Sequence, residues 1–299
     1  MNGVVLVFAC FLAGWMLTSW WAGALKAAKP LELWVIWAAL PALVLVKMPT
    51  VPLGHEAIVP IAGAWAVAAV AAAAVLIAAR VFDWDALTTG ALMLVVPLGN
   101  TGFLGIAATR ALLGEDHVAL ALTYDQLGTF LLLVTYGTVI ASRYGTAESG
   151  AWVMVRKVIT FPPFIALVVS IALRHWHLSQ SMNDVLSAVG KTVSYCAMLA
   201  LGLRFRLAVT RKLAGPAAIG IATRMIVVPA FVMVAAYLLG DAHSVSWEAT
   251  QLQAAMPPMI VAGLLAASSG LNAEASTFVV GTGTILSFAT LPVAAALIN

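Results

Sequence analysis

The chain has 299 residues, of which 63% are hydrophobic and 9% charged, with a mean hydropathy of +1.03 and a formal net charge of +3. This composition excludes a water-soluble globular domain, because apolar stretches of about 20 residues, long enough to cross a bilayer as helix, recur from end to end. A membrane β-barrel is excluded too, since the apolar runs are continuous rather than alternating. The basic residues lie in loops beside apolar segments, which indicates a role in topology and argues against a nucleic-acid partner.

Ten membrane spans are predicted, which makes the fold class an all-α integral membrane protein. Five spans lie in each half of the chain, residues 1–145 and 146–299. They cover residues 3–25, 31–46, 57–80, 85–113, 118–140, 152–173, 182–203, 217–239, 247–269 and 273–298. Because each half has an odd number of spans, the halves are predicted to be inverted repeats within one membrane domain.

The fourth and ninth predicted spans are each interrupted by proline, at Pro97 and at Pro257 with Pro258. Proline removes a backbone donor and disfavours helical geometry in the residue before it. In a membrane, unwound backbone is tolerated only where it is buried in protein or lines a cavity. Broken segments at corresponding places in two halves are the best sequence indication of a transporter's binding site, so we expect the two breaks to frame one.

Beyond the breaks, the spacing of two positions repeats. Gly114 follows the first break and Gly270 the second, and Asp125 and Gly281 each stand 11 residues further on. The distance from proline to glycine differs between the halves, so the repeat is imperfect. The stretch from Gly281 to Thr284 is predicted to be a packing surface, with a polar cavity wall as the alternative.

Asp125 is the sharpest single signal in the chain. It lies seven residues inside the fifth predicted span, about 10 Å into the membrane at 1.5 Å per residue. A carboxylate at that depth costs about 2.5–3.5 kcal/mol, so it is expected to face a cavity or a partner. We predict that Asp125 couples a proton or a sodium ion to transport. The alternative is a structural carboxylate paired with a hydroxyl or an amide.

Asn100 and Thr101 follow the first break directly. Asparagine and threonine are good helix N-caps, so a second half-helix is expected to begin here with free N–H groups and the positive end of its dipole exposed. Such an end attracts a carboxylate. The alternative is that Asn100 only satisfies backbone freed by Pro97. The residues predicted to bind the substrate are Gly99, Asn100, Thr101, Gln126 and Met256.

Lys and Arg are concentrated in the odd-numbered loops, and Arg224, near the start of the eighth span, is counted with them. The positive-inside rule then places both termini outside. Cys10 and Cys196 lie in apolar runs, and His175 and His177 have no nearby carboxylate or cysteine, so neither a disulfide, a metal site nor a cofactor is expected. An enzyme is not expected either, because no second titratable group clusters with Asp125.

Several motifs in this order resemble the auxin efflux carrier family, in its short prokaryotic form. They are residues 97–106 (PLGNTGFLGI), 124–126 (YDQ), 40–43 (LPAL), 201–203 (LGL) and 255–257 (AMP). Residues 107–108, Ala-Ala, depart from the Pro-Leu of many members. The long hydrophilic middle loop of the plant carriers is also absent.

The resemblance implies ten helices in two inverted repeats, with spans one, two, six and seven as a scaffold and the others as a moving unit. Spans four and nine would cross at their breaks beside the substrate, a small organic anion, and the protein would form a homodimer in a bacterial inner membrane. The predicted function is a secondary active transporter working by elevator-like alternating access. A sodium-coupled symporter of the bile-acid type is the first alternative, and a membrane receptor the second.

Overall fold

The computed structural model describes residues 2–21, 23–50, 54–145, 156, 159–172, 179–205, 210–239 and 241–298. Within these ranges the chain is helical, and its one β-type contact is an isolated antiparallel bridge between Gly99 and Pro258. The all-α class is therefore confirmed for the described residues. The ten-helix inverted-repeat plan and the division at residue 145 stay predictions.

The helices are named here in chain order. The first half contributes α1 (Asn2–Trp20), α2 (Lys26–Lys47), α3 (His55–Val81), α4 (Ala86–Val95), α5 (Thr101–Gly105 continued by Ile106–Leu112) and α6 (Glu115–Tyr144). The second half contributes α7 (Pro162–Ala172), α8 (Gln180–Arg204), α9 (Arg211–Leu239), α10 (Val245–Ala254), α11 (Ile260–Ser268) and α12 (Ala273–Ile298).

Length and composition would allow five of the described helices to cross a membrane, namely α2, α3, α6, α9 and α12. Shorter apolar helical stretches cover Phe8–Thr18, Ala86–Val95 and Pro162–Ala172. α4 and α11 are too short to span about 30 Å of hydrocarbon alone, because each ends or begins at a proline break.

Widened, π-type turns interrupt four helices. In the described part of the chain they are Val35–Ala39 in α2, Thr101–Gly105 at the start of α5, Tyr124–Phe130 and Leu133–Gly137 in α6, and Thr223–Val227 in α9. Such turns cost hydrogen-bond geometry and are frequent at functional sites. The segments in α5, α6 and α9 carry the polar residues described below.

Helices α1 and α7 pack on α8 and α2 respectively, and α2 and α8 pack on each other. The contact between α1 and α8 is tight because Gly14 and Gly202 face each other, and a Cβ on Gly14 would lie 3.1 Å from the Gly202 Cα. Small residues at such contacts let helix backbones approach in a membrane. These four helices are the ones that the family resemblance assigns to the scaffold; its rigidity stays a prediction.

The two breaks meet in the middle of the protein, and we call the contact between residues 96–100 and residues 255–259 the crossing. The Asn100 N–H donates to the Pro257 carbonyl at 2.7 Å, and the Met259 N–H donates to the Leu98 carbonyl at 2.8 Å. Each break therefore satisfies backbone groups that the other leaves without a helical partner. This mutual pairing explains how two unwound segments are tolerated in an apolar interior.

Gly114 and Gly270, which the sequence places in corresponding positions, share a left-handed backbone conformation with φ of 102° and 74°. Each ends the half-helix that follows a break, and glycine is the residue that adopts this conformation without strain. Both second half-helices thus end close to a glycine with positive φ.

Candidate binding site at the crossing

Four half-helix ends converge at the crossing. The carboxyl ends of α4 and α10 approach it with carbonyls that have no partner within their own helix, and the amino ends of α5 and α11 leave it with N–H groups in the same condition. Because helix dipoles place partial negative charge at the former and partial positive charge at the latter, the crossing has two electrostatically distinct sides.

A cavity of about 30 Å³ lies on the positive side, and we call it the central cavity. Its polar or small lining residues are Asn100, Gly102 and Asp125. Its apolar lining residues are Ile36, Leu40, Phe103, Phe130, Leu133, Phe161, Met259 and Val261. In this conformation the volume has room for about one or two water molecules, so an organic molecule would enter only if the walls moved apart.

The amino ends of both second half-helices border the central cavity. Asn100 and Gly102 flank the first residue of α5, and Met259 and Val261 flank the first residue of α11. An N-terminus in an apolar setting favours a negative group. The cavity is therefore mostly apolar, with two helix amino ends at its border that would favour a carboxylate.

Asp125 lies at the same face, held by two side chains. The Thr101 hydroxyl donates to Oδ1 at 2.6 Å, and the Gln126 amide Nε2 donates to Oδ2 at 2.7 Å. Asp125 is only 3% exposed, and a Cβ on Gly102 would come within 2.9 Å of Oδ2. Thr101, Asp125 and Gln126, which the sequence identified separately, thus form one buried hydrogen-bonded group, in which Gly102 makes room for the carboxyl.

Asn100 is 1% exposed and only half used by the protein. Its Oδ1 accepts a long bond of 3.5 Å from the Leu104 N–H, which is the capping interaction of α5. Among the described residues its Nδ2 has no hydrogen-bond partner. A buried amide donor left unpaired is costly, so this N–H group is a candidate contact for a ligand in the cavity that Asn100 lines.

Arg224 is a central residue that the sequence reading missed. The charge pattern counts it as a topology signal, whereas the structure buries it completely on the widened turn of α9, at the negative side of the crossing. Its Nε donates to the Met256 carbonyl at 2.8 Å and its Nη1 to the Pro97 carbonyl at 3.4 Å. The signal was present: like Asp125, Arg224 stands seven residues inside its predicted span.

The other predicted positions take backbone roles. Met256 and Pro97 each offer a carbonyl to Arg224, and Gly99 packs so closely on the guanidinium that a Cβ would overlap it. Pro258 packs against Gly283 of α12, where a Cβ would lie 2.6 Å from the proline Cδ. The stretch that follows Gly281 thus lets α12 approach the second break.

Gln253, near the end of α10, was not among the residues predicted from the sequence either. It is fully buried against Gly105, and neither its Oε1 nor its Nε2 has a hydrogen-bond partner among the described residues. Gln126 has an unpaired Oε1 as well. A glutamine inside an apolar span was the available signal.

No group of three His, Cys, Asp or Glu side chains in the described ranges could hold a metal ion. Cys10 and Cys196 are free thiols. His175 and His177 lie outside the described residues.

The broken, crossed helices and the buried polar group define the class as a helical membrane transport protein. A family model described as membrane transport protein matches residues 1–295. The chain belongs to this family, which confirms the resemblance to auxin efflux carriers, and it is therefore an integral membrane protein.

Two archaeal proteins are similar to the chain. An uncharacterized transporter of Methanothermobacter thermautotrophicus is 26% identical over 209 residues, which cover 70% of this chain and 68% of the relative. An uncharacterized transporter of Methanocaldococcus jannaschii is 31% identical over 121 residues, which cover 38% of each chain. Both names support transport as the function in general terms.

Proposed function

We propose that this protein is a secondary carrier for a small organic anion, which binds in the central cavity. The observation that carries the proposal is that the amino ends of α5 and α11 both border that cavity, where Asn100 keeps an unpaired amide donor. Two dipole ends and an amide N–H favour a carboxylate or a similar group.

The walls support an organic rather than an inorganic anion. Phe130, Leu133 and Phe161 contribute apolar surface to the cavity. Sites for small organic molecules are mostly apolar with a few placed polar groups. An inorganic ion such as phosphate would leave this surface unused.

Asp125 is the proposed coupling group. In its ionised form the carboxylate accepts a hydrogen bond from the Thr101 hydroxyl and lies beside Gly102, where a substrate carboxylate would bind. Two negative charges at this distance in a low-dielectric site repel strongly. Protonation of Asp125 removes the repulsion, so a proton would enter together with the anion.

Movement is proposed to occur along the seam that contains the cavity. Ile36 and Leu40 come from α2, in the group that packs as α1, α2, α7 and α8, whereas Asn100 and Asp125 come from the crossing side. Sliding of one group past the other would open the narrow cavity to either side of the membrane, in an elevator-like cycle. We also propose that both termini lie on the outer side of the cytoplasmic membrane and that the protein forms a homodimer.

A sodium-coupled symporter is the second candidate, because Gln126 and Gln253 each keep a buried, unpaired Oε1. Amide oxygens are ligands for hard cations. A sodium ion bound by these oxygens would then be the coupling ion, in place of the proton at Asp125.

A ligand screen on the purified protein distinguishes these candidates. Thermal unfolding is measured with a panel of small carboxylates at about pH 5.5 and about pH 7.5, with sodium or tetramethylammonium as the cation, since a ligand of the folded state raises its stability. A carboxylate that raises the unfolding temperature more at the lower pH, equally with sodium and with tetramethylammonium, supports the proton-linked carrier. Stabilisation by a carboxylate only with sodium supports the symporter. No stabilisation by any carboxylate, with uptake by vesicles also absent, contradicts both.

A further inference from the structure

Arg224 joins the two carboxyl ends at the crossing. One guanidinium nitrogen bonds the Met256 carbonyl, just past the end of α10, and another bonds the Pro97 carbonyl, just past the end of α4. These carbonyls belong to the unwound segments that follow the two helices, and both lie at the negative ends of helix dipoles. One side chain thus neutralises two half-helix ends from different halves of the chain.

Among the described residues, no carboxylate pairs with Arg224. None of the ion pairs in the described part of the chain involves it, although it is completely buried. A buried cation is costly unless its charge is compensated, so the two carbonyls and dipole ends must carry that compensation. Its Nη2 has no hydrogen-bond partner among the described residues and packs against Gly99.

Unwound carbonyls and the carboxyl ends of half-helices are the groups with which transporters coordinate a coupling cation. We infer that Arg224 is a resident cation of the crossing, which occupies with its guanidinium the carbonyls that a bound metal ion would otherwise need. No exchangeable cation is then required at this point, and any coupling ion must act elsewhere, at Asp125 or the glutamines. The inference rests on the proposed carrier function only where it is tested by uptake; the test by thermal unfolding does not depend on that function.

Arg224 is a positioning residue in this account. It does not line the central cavity, whereas its partner segments lead directly into Asn100 and Met259, which do. By fixing the Pro97 and Met256 carbonyls it sets where α5 and α11 begin, and so where their positive ends point. Asp125 thus lies at the amino ends of the crossing and Arg224 at its carboxyl ends.

The first test removes the resident cation and offers a soluble one. Thermal unfolding of Arg224→Ala in detergent is compared in guanidinium chloride and tetramethylammonium chloride at equal, low concentration, with Arg80→Ala, an exposed arginine of α3, as the matched control. Guanidinium should stabilise Arg224→Ala relative to tetramethylammonium and should leave the control unchanged or slightly destabilised. An equal response of both variants overturns the inference.

The second test uses uptake and remains informative if the alanine variant does not fold. Arg224→Lys keeps the charge, whereas Arg224→Gln keeps donors of hydrogen bonds without it. Uptake by Arg224→Lys should stay within about threefold of the wild type, and uptake by Arg224→Gln should fall about tenfold or more, because an amide cannot compensate two dipole ends. Equal uptake by the two variants overturns the role of the charge.

The cation dependence of uptake separates a resident cation from a merely structural arginine. Wild-type uptake is measured with sodium and with tetramethylammonium outside, at fixed pH, and the same comparison is made for Arg224→Gln. The inference expects the variant to gain a dependence on a small cation that the wild type lacks at this site. A variant whose residual uptake ignores the cation contradicts it. Failure of the carrier proposal would show differently, as absence of wild-type uptake while the guanidinium effect on stability persists.

Discussion

Thr101 and Asp125 lie 24 residues apart in the chain and are joined by a hydrogen bond of 2.6 Å from the threonine hydroxyl to Oδ1. The bond places a carboxyl at the first residue of α5, where the half-helix presents its positive end. The amino end of α5 is therefore already occupied by an internal acid, and the proposed substrate anion would have to share or replace that interaction. This competition is the physical basis of the proposed coupling.

Asp125→Asn tests the coupling role. Asparagine keeps an oxygen to accept from Thr101, and rotation of the Gln126 amide would let its unpaired Oε1 accept from the new Nδ2. The variant should fold, bind the anion and lose the dependence of uptake on pH, because the group that gains the proton is gone. The measurement is uptake by proteoliposomes across a pH series, with the exposed Asp184→Asn as the control. A pH profile unchanged from the wild type removes Asp125 from this role.

Gly102→Ala tests the space beside the carboxyl. The new Cβ would lie 2.9 Å from Oδ2 and 3.0 Å from Oδ1 of Asp125, so the acid must shift. Glycine to alanine inside a helix ordinarily stabilises, but overpacking here should cost about 1–3 kcal/mol and lower uptake. Gly137→Ala in α6 is the matched control, because its nearest neighbour would be 3.5 Å away. Equal stability changes for the two variants would contradict the contact.

Asn100→Ala tests the amide at the amino end of α5. The substitution removes the unpaired Nδ2 and a capping bond that is already long at 3.5 Å, so folding should survive. Loss of one hydrogen bond to a charged ligand should weaken binding about tenfold or more, since such bonds contribute about 1.5–3 kcal/mol. Binding is followed by the thermal shift with the stabilising carboxylate, and Asn183→Ala in α8 is the control. Wild-type affinity in the Asn100→Ala variant would contradict the proposed binding site.

Gln253→Leu tests whether the unpaired glutamine serves transport. Its two side-chain polar atoms are buried without partners in the described structure, which is unfavourable by about 1–3 kcal/mol. Leucine should therefore raise the unfolding temperature while lowering uptake, the expected trade of function for stability. Gln251→Leu is the contrasting control on the same helix, because Gln251 donates to the Ala242 carbonyl at 2.9 Å and its loss should destabilise. Raised stability with full uptake would make Gln253 a passive residue.

Much of the fold followed from local features of the chain. Apolar run length identified the helices, and Pro97 and Pro257 located the two breaks, because proline acts on its own backbone and its neighbour wherever it stands in a helix. Gly114 and Gly270 stood out as corresponding positions, and both have the left-handed backbone that ends a half-helix. Asp125 stood out because a carboxylate in an apolar span is costly in any arrangement.

The partners of these residues were decided by tertiary structure. Spacing along the chain does not predict the hydrogen bond from Thr101 to Asp125 or those between the two breaks. These bonds join segments whose approach depends on the packing of several helices. Arg224 shows the difference most clearly. Its depth of seven residues in a predicted span marks it as unusual, but the sequence does not name its partners. Only the folded chain brings it to the carbonyls of Pro97 and Met256, because the role of a charge depends on the dipoles around it.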